Sequence, residues 1–131
     1  MINRKTAERI EENWNEPFWK TVVSDLEDAE FELFTSSSRN LSIRIHGGEL
    51  TFIGEDSGEA CRAVNGNDEY EFRYHLDVEN TRRLVVQLRL RNSLRYKLGT
   101  ILKNEYGADN GSVKFKAFCE EIGVETVFSS Y

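Results

Sequence analysis

Two hydrophobic periods alternate along this chain of 131 residues, and each predicts a different kind of secondary structure. Near both ends, apolar residues recur every three or four positions, which is the period of an amphipathic helix. Between residues 31 and 91 they recur at every second position, which is the period of a strand with one buried face. The pattern therefore predicts helices, then an antiparallel sheet, then helices again.

Two helices are predicted before the sheet. Residues 3–14 form the first, with Asn3 as its N-cap and with Ile10 and Trp14 four positions apart on one face. Pro17 is the only proline, and because it lacks an amide hydrogen it suits the first turn of the second helix. The apolar stripe of this second helix consists of Phe18, Trp19, Val22, Val23 and Leu26.

Five or six short strands are predicted next, separated by turn residues. The pair Gly47 and Gly48 indicates a tight hairpin, since glycine readily adopts the positive φ that such turns require. The clearest alternation places Tyr70, Phe72, Tyr74 and Leu76 on one face, with Glu71, Arg73 and His75 on the other. The predicted strands cover residues 31–33, 41–45, 50–53, 61–64, 70–76 and 83–91.

The helical period returns at Asn92 and Ser93, either of which suits an N-cap. Gly99 inside this predicted helix weakens it by roughly 0.5 to 1 kcal/mol relative to alanine, so it indicates close packing. A last helix begins at Ser112 and ends at Gly123, and residues 124–128 fit one further strand. The apolar stripe of the helix after Ser93 consists of Leu94, Leu98, Ile101, Leu102 and Tyr106.

These elements predict an α+β fold. It consists of an antiparallel meander of five or six strands, with two N-terminal and two C-terminal helices packed mainly on one face. A chain of 131 residues falls within the usual size of one domain, so residues 1–131 are predicted to form a single domain.

Charge is distributed unevenly along the chain, whose formal net charge is -6. Lysine and arginine number four against nine acids in residues 1–32, four against nine in residues 33–80, and nine against five in residues 81–131. Residues 82–103 contain no acid at all. The overall acidity argues against general coating of nucleic acid, whose phosphates the protein would repel. The sequence leaves open whether the basic segment is exposed or paired with the acidic helices, and whether the chain forms homo-oligomers.

The environment of the protein is predicted from its cysteines and its lack of a targeting segment. Cys61 and Cys119 are too few for a disulfide framework or a zinc motif, so we expect reduced thiols. The chain contains neither a signal-peptide core nor an apolar run of about 18 residues. We therefore expect a cytoplasmic protein without membrane association, metal or cofactor.

The first functional hypothesis is a non-catalytic binding protein, such as a small inhibitor, immunity protein or antitoxin-like protein that masks a basic macromolecular partner. Aromatic residues are enriched at the centres of protein interfaces, and here they lie within a strongly acidic segment. The simpler interpretation is that the two tryptophans dock their helices on the sheet. The predicted partner-binding residues are Glu11, Glu12, Trp14, Trp19, Asp25 and Asp28.

The alternative hypothesis is a module that binds a small anionic ligand, such as a nucleotide or phosphate, through the arginine-rich strand and helix. Guanidinium groups pair bidentately with phosphate, and a tyrosine nearby is available to stack on a base. The simpler interpretation is that these arginines form salt bridges with Glu71 and with the acidic helices. The predicted ligand-binding residues are Arg44, Arg73, Tyr74, His75, Arg89 and Arg91.

An enzyme is the third hypothesis, through His75 as a general acid or base beside Glu71. It is disfavoured because no nucleophile or second carboxylate stands at a recognisable spacing, and because neither GxSxG nor HExxH occurs. The acids Glu55, Asp56 and Glu59 lack the spacing of a calcium-binding loop. We therefore predict no catalytic residue.

Overall fold

The computed structural model describes residues 16–131 and contains an antiparallel sheet covered by helices on one face. The five described strands lie side by side in the order of the sequence, and each is antiparallel to the next. The predicted α+β class and antiparallel meander are confirmed. The strands are β1 (Ala29–Thr35), β2 (Arg39–His46), β3 (Glu49–Ser57), β4 (Glu69–Leu76) and β5 (Val127–Ser130).

Five helices occur in the described part of the chain. The first helix, α1, covers residues 16–25 and has Pro17 in its first described turn, as predicted. The predicted helix over residues 3–14 lies outside the described residues. The remaining helices are α2 (Glu59–Asn65), α3 (Val78–Arg91), α4 (Leu98–Tyr106) and α5 (Gly111–Glu121).

The hydrophobic core lies between one face of the sheet and helices α3, α4 and α5. Alternate residues of each strand enter it, because side chains on a strand point to opposite faces in turn. Phe52 at the centre of β3 stacks on Phe115 of α5, with ring centroids 4.8 Å apart, and both side chains are fully buried. Leu84 and Leu88 of α3 and Ile101 of α4 join the same core. The predicted inward alternation of β4 is confirmed, with Phe72 and Leu76 buried and with Tyr70 and Tyr74 packed against the core.

Close approaches between neighbouring elements occur at Gly54 and Gly99. At Gly54 the ring of Phe72 crosses the neighbouring strand, and a Cβ added there would lie 2.1 Å from a ring carbon. At Gly99 a Cβ would lie 3.0 Å from the ring of Phe31, so α4 packs directly on β1. The close packing predicted at Gly99 is therefore confirmed. The hairpin predicted at Gly47 and Gly48 is also present, with φ of 59° and 78°.

The strand predicted over residues 83–91 is wrong, because this segment belongs to helix α3. Leu84, Val85 and Leu88 are buried, which is a helical spacing, whereas Leu90 is 64% exposed. A continuous apolar run such as LVVQLRL matches both periods, so periodicity alone does not separate them. The deciding signal is Asp77, whose carboxylate accepts a hydrogen bond from the amide of Asn80 and caps the helix. This contact also lowers the pKa of Asp77.

Two smaller predictions are also wrong. Residues 61–64 form part of helix α2 instead of a strand, and Cys61 faces inward from it. The helix predicted to start at residue 93 begins instead at Leu98, and Leu94 is 41% exposed in the preceding turn. That turn is held in place by Arg89, whose guanidinium donates to the carbonyl oxygens of Ser93 and Tyr96. These side-chain contacts hold residues 93–96 in a turn, and α4 starts after it.

Candidate binding face

The second face of the sheet, called the open face, contacts none of the described helices. Its residues alternate with the core residues along each strand, and most of them are exposed or half-buried. Thr51 is the exception, since it is buried beneath its neighbours. The open face consists of Glu30, Glu32, Thr35, Asn40, Ser42, Arg44, His46, Glu49, Thr51, Ile53, Glu55, Ser57, Glu69, Glu71, Arg73, His75, Val127, Ser129 and Tyr131.

Charges on the open face follow the strand register. Across β1, β2 and β3, Glu30 lies opposite Arg44, and Arg44 lies opposite Thr51. Towards the other end Glu55 lies directly opposite Glu71 on adjacent strands. Like charges at such a position destabilise a sheet, so the fold does not benefit from this pair. The Nε atom of Arg73 donates to the carboxylate of Glu71 at 3.1 Å and offsets part of the repulsion.

Carboxylates surround the open face on three sides, and we call this set the acidic rim. Two of its members lie on the outer strand β1, three lie where β3 and β4 meet α2, and two lie beside the β2–β3 hairpin. The only arginines on the open face are Arg44 and Arg73, near its centre. The acidic rim consists of Asp28, Glu30, Glu32, Glu49, Glu55, Glu69 and Glu71.

A shallow depression of about 360 Å³ lies at the centre of the open face. The Nδ1 atom of His75 lies 3.0 Å from the hydroxyl of Thr51, and its Nε2 atom lies 3.5 Å from Glu49. The guanidinium of Arg73 lies 5.7 Å from the centre of the Tyr131 ring, a cation–π distance. Arg44 has no ion-pair partner among residues 16–131. The depression is lined by Arg44, His46, Glu49, Thr51, Arg73, His75, Ser129 and Tyr131.

A second depression of about 610 Å³ lies at the end of the open face where the acidic residues are densest. Arg39 spans its wall and forms a bidentate pair with Asp56 at 2.7 and 2.9 Å. This contact raises the pKa of Arg39, chiefly through the hydrogen bond to Asp56. Glu55, Glu69 and Glu71 therefore give this depression a net negative charge.

The structure separates the residues predicted to bind a basic partner. Asp28 is exposed, accepts a hydrogen bond from the amide of Gly47 and lies 3.1 Å from His46. Trp19 is 43% exposed on the helical side of the molecule, with the guanidinium of Arg82 over its ring. Asp25 is buried in an ion pair with Arg89, so its carboxylate is not accessible to a partner. The predictions for Glu11, Glu12 and Trp14 fall outside the described residues.

The residues predicted to bind a small anion are also divided. Arg44, Arg73 and His75 meet in the central depression, as the predicted register requires. Tyr74 points to the core face, where its ring contacts Phe128 and Phe115. Arg89 and Arg91 do not join this depression, because the predicted strand over residues 83–91 is a helix. In helix α3, Arg89 binds Asp25, whereas Arg91 lies 3.6 Å from Glu121 and over the ring of Phe118.

Three of the seven basic residues in the segment 82–103 have acidic partners among the described residues. Arg83 contacts Glu79 and the carbonyl oxygen of Gly123, and Arg89 and Arg91 have acidic partners on other helices. Arg89 and Arg91 are thus members of salt bridges, as the simpler interpretation states. Of the acidic rim, the sequence-based selection of residues included only Asp28 and missed the other six carboxylates, although the alternation within residues 69–76 was a signal for the β4 members.

Two large pKa shifts occur in the core and not on the open face. Burial raises the pKa of the Cys119 thiol to about 12, and it also raises the pKa of the Tyr106 hydroxyl. Both shifts come from desolvation, which favours the neutral forms and makes Cys119 a poor nucleophile. Within residues 16–131 there is no group of three or more His, Cys, Asp or Glu side chains suited to a metal ion.

No protein-family model, curated protein sequence or solved structure matches this chain. Among the described helices, none is both long enough and apolar enough to cross a membrane.

Proposed function

We propose that this protein is a non-catalytic binding protein, of the inhibitor or immunity type, whose open face covers a basic surface of a macromolecular partner. The observation that supports this proposal is the acidic rim, which sets seven carboxylates against the two arginines of the same face. Complementary charge steers a partner towards such a face and suppresses binding of partners with the wrong charge. An acidic face repels nucleic acid, so the partner is a basic protein.

The rigidity of the open face favours this function. Its strands are hydrogen-bonded side by side, with one register shift in β1 between Glu32 and Phe34, so the backbone positions of the strand carboxylates are set before a partner arrives. A surface that is already ordered loses less conformational entropy on binding than a flexible loop does. Arg44 adds specificity, because its guanidinium is available for a carboxylate of the partner.

The repulsion between Glu55 and Glu71 gives a second reason. Directly opposed like charges cost stability in a sheet, and within residues 16–131 only one of the two carboxylates, that of Glu71, contacts an arginine. A lysine or arginine of the partner placed between them would relieve this repulsion. The pair is therefore a favourable point for a cationic side chain of the partner.

The test is a charge reversal on the acidic rim, Glu30→Lys with Glu32→Lys, compared with Glu105→Lys and Glu120→Lys on exposed helical positions. Both double variants change the net charge equally. With a lysine-rich peptide as the probe, titration calorimetry should show at least tenfold weaker binding for the rim variant and a much smaller loss for the helix variant. Equal losses in the two variants would contradict the proposal.

The central depression supports a second candidate function, binding of a small phosphate-bearing ligand at Arg44, Arg73 and His75. Glu49 lies in the same depression and opposes an anion, so this candidate comes second. Stabilisation of the protein by nucleotides or inorganic phosphate in thermal unfolding, lost on Arg44→Ala, would support it over the first.

A further inference from the structure

The two outer strands of the sheet differ in how they are protected from pairing with another chain. The sequence of β1 contains Glu30 and Glu32, and its register shifts between Glu32 and Phe34. Charges and bulges of this kind discourage a foreign strand from adding to an edge. The sequence of β5 is VFSS, without charge or proline, and its register with β4 is regular. Val127 and Phe128 are 67% and 53% exposed.

The free edge of β5 can be identified from its hydrogen bonds. Tyr131 and Glu71 exchange both backbone bonds, with N–O distances of 2.8 and 3.3 Å. In an antiparallel pair this arrangement recurs at every second residue, so the backbone groups of Ser129 also face β4. The amide hydrogens and carbonyl oxygens of Phe128 and Ser130 therefore point away from the sheet. No described strand lies beside them.

We propose that β5 pairs antiparallel with the β5 strand of a second copy of this chain, forming a two-fold symmetric dimer with one continuous sheet. In the register that pairs residues 127–131 of the two copies, Ser129 lies opposite its own copy on the two-fold axis. Phe128 and Ser130 then lie opposite each other and exchange the backbone bonds that both have free. On the open face, Val127 lies opposite Tyr131, which joins two exposed apolar side chains at each end of the pairing.

Charge identifies a second copy as the occupant of this edge. Two chains of net charge -6 repel each other wherever their acidic surfaces meet, and at the β1 edge Glu30 and Glu32 would face their own copies. The β5 edge is uncharged, so pairing there keeps the two β1 edges at opposite ends of the sheet. A symmetric pairing of identical strands also satisfies both copies at once, as in most homodimers. The inference does not depend on the function of the open face.

Disulfide trapping tests this register directly. On the two-fold axis the Cα atoms of the two Ser129 residues should lie about 4.5 Å apart, which is within the range of a disulfide bond. Under mild oxidation, Ser129→Cys should give at least tenfold more covalent dimer than Thr35→Cys, an exposed position on β1. The native Cys61 and Cys119 are both buried and should contribute little background. Circular dichroism of each variant establishes that it is folded.

Sedimentation of the unmodified chain provides the second measurement. With rising concentration the mass should approach twice the chain mass of 15.2 kDa. Ser130→Pro removes one of the free amide hydrogens without breaking a bond to β4, so it should leave the chain folded but monomeric. Equal cross-linking at Ser129→Cys and Thr35→Cys, or a monomer at every concentration, would overturn the dimer.

Discussion

Arg89 shows how much a single side chain of this protein contributes to the arrangement of its helices. Its guanidinium is 2% exposed and forms a bidentate pair with Asp25 at 2.6 and 2.9 Å. The same group also donates to the carbonyl oxygens of Ser93 and Tyr96. One residue therefore connects α1, α3 and the turn before α4. A buried charge is tolerated when it has a counter-charge and hydrogen-bond partners, whereas the same charge without its acid destabilises the fold.

The first prediction follows from this buried pair. Asp25→Ala should lower the free energy of unfolding by about 3 to 5 kcal/mol, because it leaves the guanidinium buried without its counter-charge. Chemical denaturation monitored by circular dichroism measures the change. The double variant Asp25→Leu with Arg89→Met removes both charges and should lose less than Asp25→Ala alone. If the double variant is instead the less stable of the two, the pair stabilises the protein by more than its burial costs.

Helix α3 is joined to the sheet by Thr81. This side chain is fully buried, donates to the carbonyl oxygen of Leu76 in β4 at 3.2 Å, and accepts from the amide of Leu50 in β3 at 2.9 Å. The hydroxyl thus satisfies one backbone group on each of two strands. It also sets the position of α3 along the sheet, where Leu84 and Leu88 enter the core.

Removal of the Thr81 hydroxyl should lower the stability of the protein. Thr81→Val keeps the shape of the side chain but leaves the amide of Leu50 and the carbonyl of Leu76 with one partner fewer in a buried place. The expected loss is about 1 to 3 kcal/mol of unfolding free energy, measured by denaturant titration. Thr81→Ser retains the hydroxyl and should lose clearly less. An equal loss in both variants would show that the methyl group, and not the hydroxyl, is the stabilising part.

At the scale of the whole molecule, charge divides the surface into two kinds. The helical side combines acids with the arginines of α3, most of which are paired, whereas the open face combines an acidic rim with two central arginines. Net charge acts over a distance of about one Debye length and governs how fast a partner approaches. The local arrangement on the open face governs how long a bound partner stays.

This division predicts different kinetics for the two double variants of the charge-reversal test. The rim and helix variants should slow association with a basic probe by similar factors, since they alter net charge equally. Only Glu30→Lys with Glu32→Lys should also speed dissociation. Surface plasmon resonance at several salt concentrations measures both rates, and association should slow by about tenfold or more on going from low to high salt. A faster dissociation in both variants would contradict a localised binding face.

The positions of β1 to β4 could be predicted from the sequence because their alternation has one consistent period. In β4 every second residue is apolar, so a shift by one residue would bury Arg73 and expose Phe72. The hairpin at Gly47 and Gly48 was predictable for a similar local reason, since positive φ selects glycine. The outward residues Arg44, Arg73 and His75 followed from the same register, and the structure places them in one depression.

The α+β class, the antiparallel sheet and the outward side chains of β1 to β4 could all be predicted, because they depend on periods within a few neighbouring residues. The burial of Arg89 against Asp25 and the grouping of seven separate carboxylates into one acidic rim followed only from the folded arrangement of the elements. Those features depend on contacts between residues far apart in the chain. Arg89 and Asp25 are 64 positions apart, and no local pattern relates them.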